Sequence, residues 1–255
     1  MIDNNNEPPV DKQPAATKID RTLAKQYNFD IKSLVIRANQ LTVANYFSLL
    51  QASLLLFVAF IILGVVAQQF IVIHDDGTFT IQHQSIIEII GVFVLAPLIT
   101  GLYMMGVAHA RGIKTSVFSI FNYFPLIFLL ALTQLINSIL VQLGAALLLV
   151  PGMYFWMATS FALMLVADKS LTPLRAIMLS CKVFNAYWLQ LLAIFGIVIL
   201  LFLTAPFTLG ISLIWVLPFY FSLIGLLYEE LIGQDGVINT LNSPQDSNSE
   251  SRFDA

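Results

Sequence analysis

Charge is what this 255-residue chain lacks most: Asp, Glu, Lys and Arg together make up 11% of it. A soluble domain is about a quarter charged, so a water-facing globule is excluded. The single cysteine, Cys181, rules out an intrachain disulfide and leaves the redox compartment unread. No HExxH, GxSxG, P-loop or GxGxxG pattern occurs, so none of the catalytic or nucleotide sites those motifs build is expected. No apolar leader opens the chain either. The first thirty residues are polar and Asn/Pro-rich, without a signal-peptide h-region. Residues 1–30 and 233–255 read as disordered tails flanking a membrane domain over 31–232. The net charge of −3 is too small to select a partner, and no nucleic acid or cofactor is expected.

What the chain has is apolar sequence: 58% of its residues are hydrophobic and the mean hydropathy is +0.84. A membrane helix needs about 20 consecutive apolar residues. Runs at 46–67 and 85–110 meet that length directly. The stretch 125–167 is too long for one crossing. Pro151 and Gly152 in "LLLVPGMYFW" divide it into 125–148 and 151–167. The stretch 188–229 divides at "TAPFTLG" into 188–205 and 209–229. Six spans result, and basic residues test the count, since Lys and Arg gather on the cytoplasmic side. With both ends inside, all twelve fall on one side: six before the first span, Arg111 and Lys114 in the second loop, Lys169, Arg175 and Lys182 in the fourth, and Arg252 in the tail. The spacing predicts an all-α bundle of six transmembrane helices, with both termini cytoplasmic.

The loop at 68–84, "QQFIVIHDDGTFTIQ", alternates apolar residues about Asp76-Gly77, a favoured hairpin turn. A small extracytoplasmic β-hairpin is expected, with Phe70, Val72, Phe79 and Ile81 on one face. Its polar tip, His74, Asp75, Asp76 and His83, resembles a metal site only in composition. In that register the two histidines lie about 13 Å apart at roughly 3.3 Å per residue, too far to share an ion.

Three similar segments precede spans one, three and five: "VANYF" at 43–47, "IFNYF" at 120–124 and "VFNAYW" at 183–188. Each brings an Asn and a Tyr, Asn45–Tyr46, Asn122–Tyr123 and Asn185–Tyr187, to a bend from the membrane surface into the bilayer. Aromatic side chains favour that depth on their own; the repeated Asn suggests three degenerate units of an interfacial helix plus a transmembrane hairpin. In "LTPLRAIMLSCKVF", Thr172 and Pro173 suit a helix start, and Leu174, Ile177, Met178, Cys181 and Phe184 share one helical face. Cys181 therefore reads as a packing residue.

The segment 141–188, with its "VPG" turn, its close on Asp168-Lys169 and its interfacial helix carrying Ser180, resembles the YciC-like bacterial inner-membrane proteins. It is also similar to the membrane domain attached to some glycerophosphodiester phosphodiesterases. "APLITGLYMMGVAHARG" at 96–112 fits the same pattern. The resemblance spans roughly 90–230 and its motifs are structural. It implies a multi-pass protein of the bacterial inner membrane linked to envelope or stress physiology, without the phosphodiesterase activity.

Ionisable residues within a span cost about 2.5–3.5 kcal/mol at a helix centre on insertion scales, and so mark function. Here they sit only at span ends: Glu88 near one surface, and His109, Asp168, Glu229 and Glu230 near the other, all expected to be solvated. The third span differs. Gln134, Asn137, Ser138 and Gln142 bring a polar stripe into it, the first three at i, i+3 and i+4. Such groups hold helices together by hydrogen bonds, line a polar path or cradle a lipid headgroup. The absence of a charged partner favours the first reading. On this basis the chain is expected to be a non-enzymatic, lipid-associated accessory or scaffold protein, whose partners are membrane lipids and a second membrane protein. The alternative is a small-solute or lipid transporter or channel using the stripe. Pro97 and Pro218, which can kink their spans, point the same way.

Overall fold

Six helical segments are long and apolar enough to cross a bilayer: Tyr46–Gln68, Ile86–Ala110, Val117–Leu147, Leu149–Lys169, Trp188–Phe207 and Leu213–Leu231. The computed structural model describes residues 17–26, 30–73, 79–81 and 84–233. The tip residues His74, Asp75, Asp76 and His83 and most of both expected tails lie outside these. The chain is a multi-pass, all-α membrane bundle. Its elements are α1 (Lys18–Leu23), α2 (Ile31–Ala44), α3 (Tyr46–Gln68), β1 (Ile71–Ile73), β2 (Phe79–Ile81) and α4 (Gln84–Ala110). A 3₁₀ segment (Val117–Leu126) leads into α5 (Ile127–Leu147), followed by α6 (Leu149–Ala158), α7 (Ala162–Lys169), α8 (Pro173–Ala186), α9 (Trp188–Phe207) and α10 (Leu213–Leu231).

Where the boundaries differ from expectation, the backbone gives the reason. The turn between spans three and four falls on Leu148, which is extended (φ −161°, ψ 153°), and Pro151 and Gly152 lie inside the first turn of α6. A proline costs little there, because the first helical N–H groups have no intrahelical acceptor. Gly152 is needed for a different purpose: a Cβ on it would stand 2.8–2.9 Å from Ala145, so it lets α6 close onto α5. The sixth span starts at Leu213 because Leu209 and Gly210, both at positive φ, turn the chain first.

The hairpin register is shifted by one residue from the expected one. Ile71 lies opposite Ile81, Val72 opposite Thr80 and Ile73 opposite Phe79. Phe70, Val72, Phe79 and Ile81 are therefore not a common face. The observed register sets large apolar residues directly across from one another, the pairing that stabilises a ribbon most.

α10 is the hub. From Phe221 to Ile232 every residue is buried; α10 packs against α4, α2, α3, α9 and α1, and its Tyr228 reaches Asp168 of α7. α4 runs beside it and crosses it at two glycines. A Cβ on Gly106 would stand 2.1 Å from the Phe221 carbonyl oxygen, and one on Gly225 would stand 2.3 Å from Gly106. Small residues at a crossing let backbones meet, which is how membrane helices gain packing energy without a hydrophobic drive. α3 and α9 bury far less, leaving Phe57, Ile61, Val65, Leu200 and Leu203 to face lipid.

α2 leans along α10, from an ion pair between Arg37 and Glu230 to Tyr46, whose hydroxyl donates to the Ile214 carbonyl at 3.3 Å. Leu34, Ala38 and Thr42, spaced by four, form the buried stripe that seats it. α8 holds Ala176, Ile177, Ser180, Val183 and Phe184 against the bundle while Leu174 and Met178 are exposed. The face expected to lie on lipid is thus shared between protein and membrane. Pro173 begins α8 as expected, but the Thr172 side chain makes no capping bond.

The fourth span is broken. α6 ends at Ala158 and α7 begins at Ala162. Ser180 of α8 bridges the gap: its hydroxyl donates to the Ala158 carbonyl at 2.6 Å and accepts from the Phe161 N–H at 3.2 Å. Both backbone groups are buried where water is scarce, so Ser180→Ala is expected to destabilise the chain by about 1–3 kcal/mol, measured by thermal unfolding in detergent. A loss below about 0.5 kcal/mol would show that the break is satisfied some other way.

Candidate functional site

Two polar regions stand out, one at the end of the bundle and one within it. The end region gathers residues that sequence reading leaves as separate solvated span ends. Arg111, just past α4, forms a fork on Asp168 of α7, with Nη1–Oδ1 at 2.9 Å and Nη2–Oδ2 at 3.1 Å. Its Nε donates to Glu229 Oε2 of α10 at 2.7 Å. The Tyr228 hydroxyl donates to Asp168 Oδ2 at 2.9 Å. Only 12% of the Arg111 side chain is exposed, against 8% for Asp168 and 4% for Glu229. Burial disfavours the guanidinium charge, but the bonds and charges of Asp168 and Glu229 outweigh it, so the Arg111 pKa is raised.

The chain's start binds the same end. Lys18 Nζ donates to the Glu229 carbonyl at 2.6 Å, and the Thr22 hydroxyl donates to the Leu231 carbonyl at 2.7 Å. The Thr22 hydroxyl satisfies a carbonyl that the last turn of a helix leaves unpaired, and Lys18 adds a second donor to the Glu229 carbonyl, which also accepts from the Gly233 N–H at 3.2 Å. Glu230 is buried and paired with Arg37, and His109 is buried with Nε2 2.8 Å from the Thr115 hydroxyl. The solvated-end reading of His109, Asp168, Glu229 and Glu230 is therefore corrected: the three carboxylates join α2, α7, α10 and the end of α4, and the buried His109 holds the loop that follows α4. A sequence signal existed, since three acidic residues stand at the very span ends where only basic ones are expected. Glu88 is exposed near the start of α4.

The interfacial Asn and Tyr residues divide by role. Asn45 and Tyr187 are each the single residue joining two helices, with nearly the same backbone (φ −121°, ψ 21° and φ −122°, ψ 33°). The first and third bends are thus alike in geometry though two residues apart in the motif. Asn45 Nδ2 donates to the Leu41 carbonyl at 3.1 Å, Tyr46 stacks on Trp215, and Asn185 accepts from the Tyr154 hydroxyl at 2.9 Å. Tyr187 is buried, Tyr123 is half-buried beside the Asp168 pair, and Asn122 is exposed. Cys181 is half-buried and its surroundings push its thiol pKa up, away from the reactive thiolate.

The inner region is built on the third-span stripe. Gln134, Asn137, Ser138 and Gln142 of α5 line a cleft of about 340 Å³ with Thr159 and Ser160 from the break in span four. Tyr103 of α4 and Tyr220 of α10, their hydroxyls 2.8 Å apart, also line it, and Ile99, Val141, Trp156, Leu163 and Phe195 supply its apolar wall. Asn137 lies ten residues into α5, about 15 Å at 1.5 Å per residue, near the middle of a roughly 30 Å hydrocarbon core. No side chain of the stripe hydrogen-bonds to another helix among the described residues. Ser138 instead donates to the Leu135 carbonyl of its own helix at 2.9 Å. Asn137 is 7% exposed, and its Oδ1 has no hydrogen-bond partner; the buried Ser160 Oγ has none either. The interhelical bonds that a purely structural stripe requires are missing.

The lining holds amides, hydroxyls and phenols, with no carboxylate, imidazole, thiol or cation. It can accept and donate hydrogen bonds. Among the described residues no cluster of three or more His, Cys, Asp or Glu is placed to hold a metal ion. Comparison of the chain with family models, with curated proteins and with solved structures finds no match.

Proposed function

We propose that this multi-pass membrane protein is a non-enzymatic, lipid-associated accessory protein that holds a membrane-soluble molecule in the third-span cleft. One observation carries the reading: Asn137 Oδ1 is buried in the cleft without a partner. An orphaned buried acceptor costs about 1–3 kcal/mol, and a bound donor removes that cost. The proposal includes a bacterial inner-membrane location with both termini cytoplasmic, supported by the one-sided placement of all twelve basic residues. It also includes kinship with the YciC-like group, supported by the sequence features over 90–230. A second membrane protein as partner belongs to the same reading.

Transport is the second reading, favoured by the fourth-span break beside the cleft. Transporters build sites on discontinuous helices, although theirs commonly carry charge. One double variant, Gln134→Leu with Asn137→Leu, separates the readings. With no interhelical bond to lose, its thermal stability in detergent is expected to stay within about 1 kcal/mol of the parent or to rise. Mass spectrometry of lipids co-purifying from native membranes should then show a species enriched with the parent and absent from the variant. A destabilised variant with unchanged lipids would return the stripe to a structural role. Loss of a liposome flux with the fold intact would favour transport.

A further inference from the structure

The cleft's chemistry narrows what it can hold. We infer that the ligand is a lipid whose head is uncharged and carries a hydrogen-bond donor, such as a hydroxyl, with the head against Asn137 and Ser160 and the chain lying out in the bilayer. This inference rests on the cleft being a binding site at all.

The donor requirement comes from the orphaned atoms. Asn137 Oδ1 accepts only, and Ser160 Oγ both accepts and donates, and neither is satisfied within the protein. A single hydroxyl can donate to the amide oxygen and accept from the serine. An ether or a hydrocarbon has no donor to offer Asn137 Oδ1. The requirement for neutrality comes from the lining. None of the thirteen lining residues is charged, and the depth is near mid-membrane. A phosphate, carboxylate or ammonium there would be desolvated with no opposite charge to meet it, which is among the costliest arrangements in a protein interior. Arg111, the nearest buried cation along α4, is committed to Asp168 and Glu229 and lies eight residues, about 12 Å, beyond Tyr103.

The lipid character comes from the size and the mouth. A volume of about 340 Å³ is near the lower bound for small-molecule sites, enough for a head and the start of a chain. Gln142 and Trp156 at its rim are exposed, and Ile139 and Leu143 beside them face outward at membrane depth. A chain leaving the cleft there passes directly into acyl surroundings.

The test is photolabelling of the full chain in phosphatidylcholine nanodiscs with a monoacylglycerol carrying a diazirine near its glycerol. The expected result is saturable labelling of Ile99, Val141 or Leu163, reduced at least fivefold by Asn137→Leu and by Ser160→Ala, each checked for an unchanged melting temperature. Competitors of the same chain length then grade the head. The unlabelled monoacylglycerol is expected to compete at least tenfold better than its dimethyl ether, an alkyl sulfonate or an alkyl trimethylammonium, and free glycerol not at all. Equal competition by the ether or either charged head would overturn the inferred head chemistry while leaving the cleft a binding site. Competition by glycerol would overturn the lipid assignment. If monoacylglycerol, ether and both charged lipids, each made photoreactive, all leave the cleft unlabelled, the binding reading falls with it.

Discussion

Arg111→Gln is expected to cost about 3–5 kcal/mol of stability, enough to leave little folded protein in detergent. The arginine is the cation between two carboxylates that are almost fully enclosed; removing it strips Glu229 of its 2.7 Å guanidinium bond and leaves Asp168 with Lys169 at 3.8 Å in place of the fork. Asp168→Asn should cost less, about 1–3 kcal/mol, because Arg111 keeps Glu229 and the Tyr228 hydroxyl keeps an acceptor. Arg111→Lys should fall between the two. A lysine restores charge but not the planar fork that meets both Asp168 oxygens. Chemical unfolding followed by far-UV circular dichroism ranks the three. Losses below about 1 kcal/mol for Arg111→Gln would mean that these residues are hydrated span ends after all.

Gly106→Leu is the second large effect. The Cβ alone would stand 2.1 Å from the Phe221 carbonyl oxygen, a backbone atom that cannot turn aside. α4 and α10 must separate, which pulls Arg111 from Glu229 below the crossing and Tyr103 from Tyr220 above it. No folded monodisperse protein is expected. Gly106→Ala and Gly225→Ala should each cost about 1–3 kcal/mol from overpacking. Gly64→Ala and Gly196→Ala serve as controls, since a Cβ there meets nothing within 4 Å. They should be neutral, or stabilising by up to about 1 kcal/mol through helix propensity. Equal behaviour of the four alanine variants would contradict the close crossing.

The spans were legible because length and apolarity are local properties: each run declares itself without reference to its neighbours. The polar stripe was legible for the same reason, as three residues at i, i+3 and i+4 lie on one helix wherever that helix goes. What the stripe faces was not legible. Whether Asn137 meets another helix or an open cleft depends on the break at Thr159–Phe161, and that break depends on Ser180, which lies about twenty residues downstream. The ion pairs were hidden by distance along the chain. Arg111 is 57 residues from Asp168 and 118 from Glu229, so their meeting follows only from the α4–α10 crossing that two glycines permit. The hairpin was half legible: its strands followed from alternation, while its register, one residue off the expected one, did not.

The most direct measurement is an experimental density map of the full chain in lipid nanodiscs, resolved well enough to place side-chain amides. The account predicts non-protein density in the third-span cleft, with an atom within about 3.2 Å of Asn137 Oδ1. A cleft closed by its own helices, with Asn137 hydrogen-bonded to a neighbouring span, would contradict it and make the stripe part of the bundle's internal packing.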